Sequence, residues 1–98
     1  MQFGLSNEDI DKIKVVFAKF PEIERVIIYG SRAKGNYKPS SDIDLTLVGE
    51  KLTLSLLQSL ENDMDDLLLP YKFDISIFHQ ISNHDLIAHI ERVGKEFI

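Results

Sequence analysis

Asp42 and Asp44 stand two residues apart in the run DIDLTLV. In an extended strand, positions i and i+2 project side by side, with β-carbons about 6 to 7 Å apart. Two like charges that close cost on the order of a kcal/mol at an intermediate dielectric, and a divalent cation reverses the sign of that term. Hard carboxylate oxygens suit Mg²⁺ or Mn²⁺, which draw their remaining ligands from water and substrate phosphate. A bare pair of this kind more often only solubilises a strand face. A third acid changes the weighting: Asp74 occupies the same phase of a later alternating run, KFDISIF. Three such carboxylates are what a site holding two Mg²⁺ ions for phosphoryl transfer requires.

The segment before the aspartates adds a complementary feature. Gly30 and Ser31 follow the apolar run RVIIY and bring backbone N–H groups and a hydroxyl where a phosphate could approach closely. From Tyr29 to Ser41 the chain holds Arg32, Lys34 and Lys38 and no acid, a local +3; the remaining residues carry eight cations against sixteen acids, or −8. Positive charge is thus concentrated beside the carboxylates. Basic loop residues taken singly are as often solvated and inert. Ser41, next to Asp42, is placed to orient a metal carboxylate, although such serines usually satisfy turn hydrogen bonds.

Several alternative sites fail on spacing. Gly30 and Gly35 mimic the glycines of a P-loop, but Asn36 and Tyr37 follow where Lys and Ser or Thr are needed. An EF-hand begun at Asp42 would have Leu47 at its sixth position and Thr53 at its twelfth, not Gly and Glu. His84 and His89 are five apart and form no helical zinc pair, so these residues and His79 read as capping or solvated. Glu61, Asp63, Asp65 and Asp66 read as the solvated face of a helix.

These side chains need a scaffold, and the apolar periodicity supplies one. Ile10, Ile13, Val16, Phe17 and Phe20 recur at helical spacing behind Ser6, with Asp9 completing a possible capping box and Pro21 ending the helix. Residues 25–29 form a short buried strand, followed by a turn-rich loop with room for one helical turn. Residues 42–48 alternate, with Ile43, Leu45 and Leu47 on one side and Asp42, Asp44 and Thr46 on the other. Thr53 to Leu68 predicts a helix stopped by Pro70, and residues 72–78 a third strand. Ser82 and Asp85 open a last helix with Leu86, Ile87, Ile90 and Val93 as its buried stripe, and residues 95–98 suggest a short edge strand. The expected architecture is α/β (α+β), a small sheet with helices packed mainly on one face and the aspartates on the other.

Composition bounds the rest. Ninety-eight residues, 44% hydrophobic and 28% charged, fit a single domain spanning 1–98. The net charge of −5 argues against strong nucleic-acid binding or an anionic membrane surface as partner. The absence of Cys removes disulfides and thiolate metal sites and points to a cytoplasmic setting; no membrane anchor or signal peptide is expected.

The run GSRAKGNYKPSSDIDL resembles the signature of the nucleotidyltransferase superfamily that includes polymerase-beta-like enzymes: Gly-Ser, ten residues, then Asp-x-Asp. In length and in its GSRAxG and SDIDL segments the chain is most similar to the minimal nucleotidyltransferases. The resemblance implies a mixed sheet with Asp42, Asp44 and Asp74 as catalytic metal ligands, Asp74 also helping to activate the attacking hydroxyl. It implies that Gly30 and Ser31 hold the terminal phosphates of ATP or another NTP, with Arg32 neutralising phosphate charge and Ser41 in the same nucleotide-binding set. Two Mg²⁺ ions, or Mn²⁺, would be the cofactors. Proteins of this kind resemble antitoxin partners of helical HEPN-domain proteins, and some transfer AMP from ATP to a tyrosine of that partner, so a hetero-oligomer is expected. The competing expectation is a non-catalytic nucleotide-binding subunit that neutralises or scaffolds a partner. Transfer to an antibiotic or other small molecule is a third, disfavoured by the short chain.

Overall fold

In the computed structural model, which describes residues 1–98, the first apolar period becomes helix α1, Asn7–Ala18. Ser6 caps it by accepting the Asp9 N–H at 3.1 Å. The reciprocal arm of a capping box is missing; the Asp9 carboxylate instead accepts the Tyr71 hydroxyl at 3.2 Å. Strand β1 runs Arg25–Tyr29 and leads directly into a five-residue helix α2, Gly30–Lys34. Strand β2 is Ile43–Val48, so Asp42 lies just before it.

Helix α3 is Leu54–Asp65, with the Thr53 hydroxyl accepting the Leu56 N–H. It is shorter than its apolar period, because the chain unwinds at Asp66 and Leu68 takes a φ of 55° ahead of Pro70. Strand β3, Phe73–Ile77, is followed by a 3₁₀ turn at Phe78–Gln80 and helix α4, His84–Val93. Asn83, not Ser82, caps α4: its side chain accepts the N–H groups of Asp85 and Leu86. A two-residue strand β4, Lys95–Glu96, completes the chain's elements.

The sheet order is β3-β2-β1-β4. Strand β1 is antiparallel to β2 and β4, whereas β2 and β3 are parallel and need α3 as their crossover. Val26, Ile28, Ile43, Leu45, Leu47 and Ile77 present one apolar face and are almost wholly buried with Ile10, Ile13, Val16 and Phe17 of α1 and Leu60 and Met64 of α3. Each such side chain contributes roughly 1.5–3 kcal/mol over its exposed state. The other face is only partly open. Helix α4 approaches it at β1, where the His89 and Tyr29 rings meet edge to face at 6.1 Å, and Thr46 on that face is fully buried. The aspartate end is left accessible. No helix is long and apolar enough to cross a membrane.

Candidate active site

The hairpin β1–β2 closes the loop from Gly30 to Ser41 at its base, with Tyr29 opposite Asp44. The parallel pairing then sets Asp44 opposite Asp74. Residues opposite one another on neighbouring strands share a face at a strand spacing of about 4.8 Å. Tyr29, Asp44 and Asp74 therefore form one row across three strands, with Asp42 a step along from Asp44. Asp42 and Asp74 are exposed and Asp44 is half-buried.

The electrostatics of this row are repulsive. Burial, then the charges of Asp74 and Asp42, push the Asp44 carboxyl above its ordinary range, while His89 pulls it back. Burial also raises the Tyr29 phenol, and the charges of Asp74 and Asp44 add to the rise. Neither of the two ion pairs, Lys12–Glu8 and Arg25–Glu96, involves the three aspartates. No three acidic, His or Cys side chains converge tightly enough to cage an ion by themselves. The donor set still suits Mg²⁺ or Mn²⁺, which take one or two carboxylates and complete their shells with water and phosphate. Three uncompensated hard-oxygen donors on an accessible face meet that requirement.

Gly30 turns the chain beside this row with a φ of 73°, and a β-carbon there would collide with the Asp44 Oδ2. Ser31, half-buried, follows it as the second residue of α2. The structure thus brings Gly30 against Asp44, with Ser31 the next residue along the chain. Lys34 and Lys38 are exposed.

Arg32 is placed differently from the phosphate-neutralising role expected of it. It is only 2% exposed. Its Nε and Nη2 donate to the Ser41 carbonyl at 3.1 and 2.9 Å, Nη2 also to the Pro39 carbonyl at 3.2 Å, and Nη1 to the Phe3 carbonyl at 2.9 Å. Four of the five guanidinium N–H groups are thereby engaged with backbone, and the head faces into the protein. The Ser41 hydroxyl likewise serves the loop, accepting the Lys38 N–H at 2.8 Å.

Tyr29 had been given no role in the sequence, and His89, expected to be capping or solvated, is instead half-buried against the Tyr29 ring. Antiparallel pairing across a loop that starts at Gly30 would place Tyr29 in the aspartate row, so strand phase carried that signal. His89 had none, since only the docking of α4 brings it there.

The concave pockets of the surface lie elsewhere. One of 420 Å³ is walled by Ile27, Val48, Phe78 and Ile90, and none is lined by Gly30, Ser31 or the three aspartates. The aspartate row is an open surface that lacks an opposite wall.

A family model described as polymerase beta, nucleotidyltransferase matches residues 11–98. The chain belongs to this nucleotidyltransferase family. No curated protein matches it. Among solved structures, a toxin–antitoxin crystal structure with AMP-PNP is similar at a TM-score of 0.74 and 18% identity, over 92% of this chain and 73% of the other. An MNT antitoxin in complex with a tri-AMPylated Shewanella oneidensis HEPN toxin is similar at a TM-score of 0.62 and 16% identity, over 96% and 72%. A nucleotidyltransferase-like protein of Sulfolobus solfataricus reaches a TM-score of 0.52 at 20% identity, over 90% and 74%. At these identities the likeness concerns the nucleotidyltransferase fold, and the mixed sheet of this family member agrees with the expected architecture.

Proposed function

We propose that the chain is a metal-dependent nucleotidyltransferase that moves AMP from ATP to a hydroxyl of a HEPN-type toxin partner and so acts as its antitoxin, in the cytoplasm. The observation that carries the reading is the row in which Asp44 and Asp74 are register partners beside the Gly30 turn. The partner assignment is supported by the toxin–antitoxin complexes whose fold the chain shares and by the missing wall over the aspartates.

Asp42, Asp44 and Asp74 would hold two divalent ions, which when bound supply Lewis-acid stabilisation of the attacking and leaving oxygens. Gly30 and Ser31 bind the β- and γ-phosphates through backbone N–H groups and a hydroxyl. Asp74, at the exposed edge of the row, faces the acceptor and takes the proton of its hydroxyl. The acceptor oxygen bonds to the α-phosphorus, the bond from that phosphorus to the bridging oxygen breaks, and pyrophosphate leaves with the electron pair.

Incubating the chain and a co-purified HEPN-type partner with α-labelled ATP and Mg²⁺ should label the partner. Asp42→Asn and Asp44→Asn should abolish labelling while the fold persists. Unchanged labelling in both variants would remove the proposed site. A likeness of fold at 16% to 20% identity fits a second reading equally, a nucleotide-binding subunit without catalysis. That reading expects ATP and Mg²⁺ to raise the unfolding temperature with no label transferred to any partner.

A further inference from the structure

We propose that Arg32 is a positioning residue: buried beneath the loop, it clamps the backbone that presents Asp42 and ties it to the N-terminal turn. The inference rests on the reading of Asp42 as a metal ligand.

The loop has two functional ends, Gly30 and Ser31 at one and Asp42 at the other, and Arg32 reaches across it. Its side chain leaves the chain one residue after Ser31, and two of its nitrogens converge on the Ser41 carbonyl, part of the peptide that leads into Asp42. A fork of fixed geometry closing on one oxygen sets both distance and direction, which a single ammonium cannot do. The contact to the Pro39 carbonyl holds the preceding turn, which is also closed by the Ser41 N–H donating to the Lys38 carbonyl at 2.9 Å.

The third anchor is remote in sequence. Gln2 and Leu5 exchange backbone hydrogen bonds of 3.2 and 2.8 Å around a tight turn whose central residues, Phe3 and Gly4, have φ of 56° and 72°. That turn aims the Phe3 carbonyl at Arg32 Nη1. Leu5 is fully buried and Phe3 packs at 6.0 Å from the Phe97 ring, so the turn is fixed to the core. The guanidinium lies 5.4 Å from the Tyr37 ring centre and 5.1 Å from that of Tyr71. No carboxylate pairs with it. Carbonyl dipoles and aromatic faces carry its charge, so an acid competing for the fork is absent and its directional bonds act on backbone alone.

A positioning role and a phosphate-binding role differ in an assay without phosphate. Mn²⁺ uptake by the nucleotide-free full chain, followed by electron paramagnetic resonance of the free ion, is expected to weaken by about fivefold or more in Arg32→Lys. Gly4→Ala tests the same clamp from the other side and covers the case in which Arg32→Lys does not fold: its β-carbon would press on the Tyr37 ring and on Arg32 Nη1 without removing charge. It should weaken Mn²⁺ uptake in the same direction. In the labelling assay both variants, shown folded by circular dichroism, should lower kcat about tenfold and leave KM for ATP within about twofold.

Unchanged Mn²⁺ affinity with a raised KM for ATP would make Arg32 a phosphate ligand, and no change in either quantity would deny it any role; both results overturn the proposal. A wild-type chain that takes up no Mn²⁺ would overturn the metal-site reading instead. The clamp would then be read from amide hydrogen exchange of Lys38 to Asp42, expected to quicken about tenfold in Arg32→Lys, with unchanged exchange refuting it.

Discussion

Gly30 and Asp44 compete for one volume: the space where a β-carbon at position 30 would stand is filled by the Asp44 carboxylate. The half-buried aspartate can lean against the turn only because the turn has no side chain. Gly30→Ala combines that collision with a left-handed φ of 73°. It should cost about 1 to 2 kcal/mol of stability and, by displacing Asp44 by about 1 Å, about a hundredfold in transfer rate. Chemical denaturation and single-turnover labelling would measure the two effects, and a variant with wild-type values for both would refute the close packing.

Asp44 should also destabilise the fold at neutral pH. Burial and the charges of Asp74 and Asp42 raise its carboxyl in the folded chain, so the folded state holds the proton more tightly than the unfolded state. Stability is then highest when the group is protonated, falls as pH rises from the ordinary carboxylate range to the raised folded value, and stays lowered above it. Asp44→Asn should accordingly raise Tm by about 2 to 4 °C at pH 7, with the gain vanishing near about pH 3. Added Mg²⁺ should stabilise the wild type more than the variant. A variant less stable than wild type at pH 7 would contradict the assignment of strain to this acid.

One step inward from the acids, Ser76 donates to the fully buried Thr46 hydroxyl at 2.9 Å. Thr46→Val removes the acceptor and strands a donor, at a cost of about 1 to 2 kcal/mol. Ser76→Ala in the same chain should recover part of that cost, because no donor then remains unpaired. Urea titrations of the four proteins in the cycle would read this; strictly additive losses would mean the two hydroxyls are energetically independent.

The Asn83 side chain satisfies two N–H groups at the start of α4, the helix that carries His89. Asn83→Ala should lower stability by about 1 kcal/mol, and Asn83→Asp should retain most of it. Thermal unfolding of both variants would check the order, and equal losses would show that the cap contributes little.

Element order and strand phase were legible because both are local. The alternation of Ile43, Leu45 and Leu47 against Asp42, Asp44 and Thr46 predicted a face, and the observed register carries that phase across to Asp74. Helix ends were less legible: Thr53 and Asn83 are caps outside their helices, and Leu68 leaves the helical region before Pro70 can act. The burial of Arg32 was not legible, for a physical reason. A cation in a polar loop has the same appearance whether it meets solvent or a carbonyl, and the one it meets at Phe3 is 29 residues away. Thr46 was expected beside the aspartates on an open face; the covering of that face at β1 by α4 depends on a packing that no periodicity encodes.

The mixed direction of the sheet also orders the assembly of the site in time. Tyr29 and Asp44 are 15 residues apart and meet through a hairpin, whereas Asp44 and Asp74 are 30 apart and meet only after α3 has crossed over. Each doubling of a loop adds about 0.6 kcal/mol to its closure, and pairings between distant segments form late. The turn at Gly30 and two of the three acids therefore come together first. By this argument Asp74 joins after the other two acids, so binding that needs all three requires the α3 crossover to have formed.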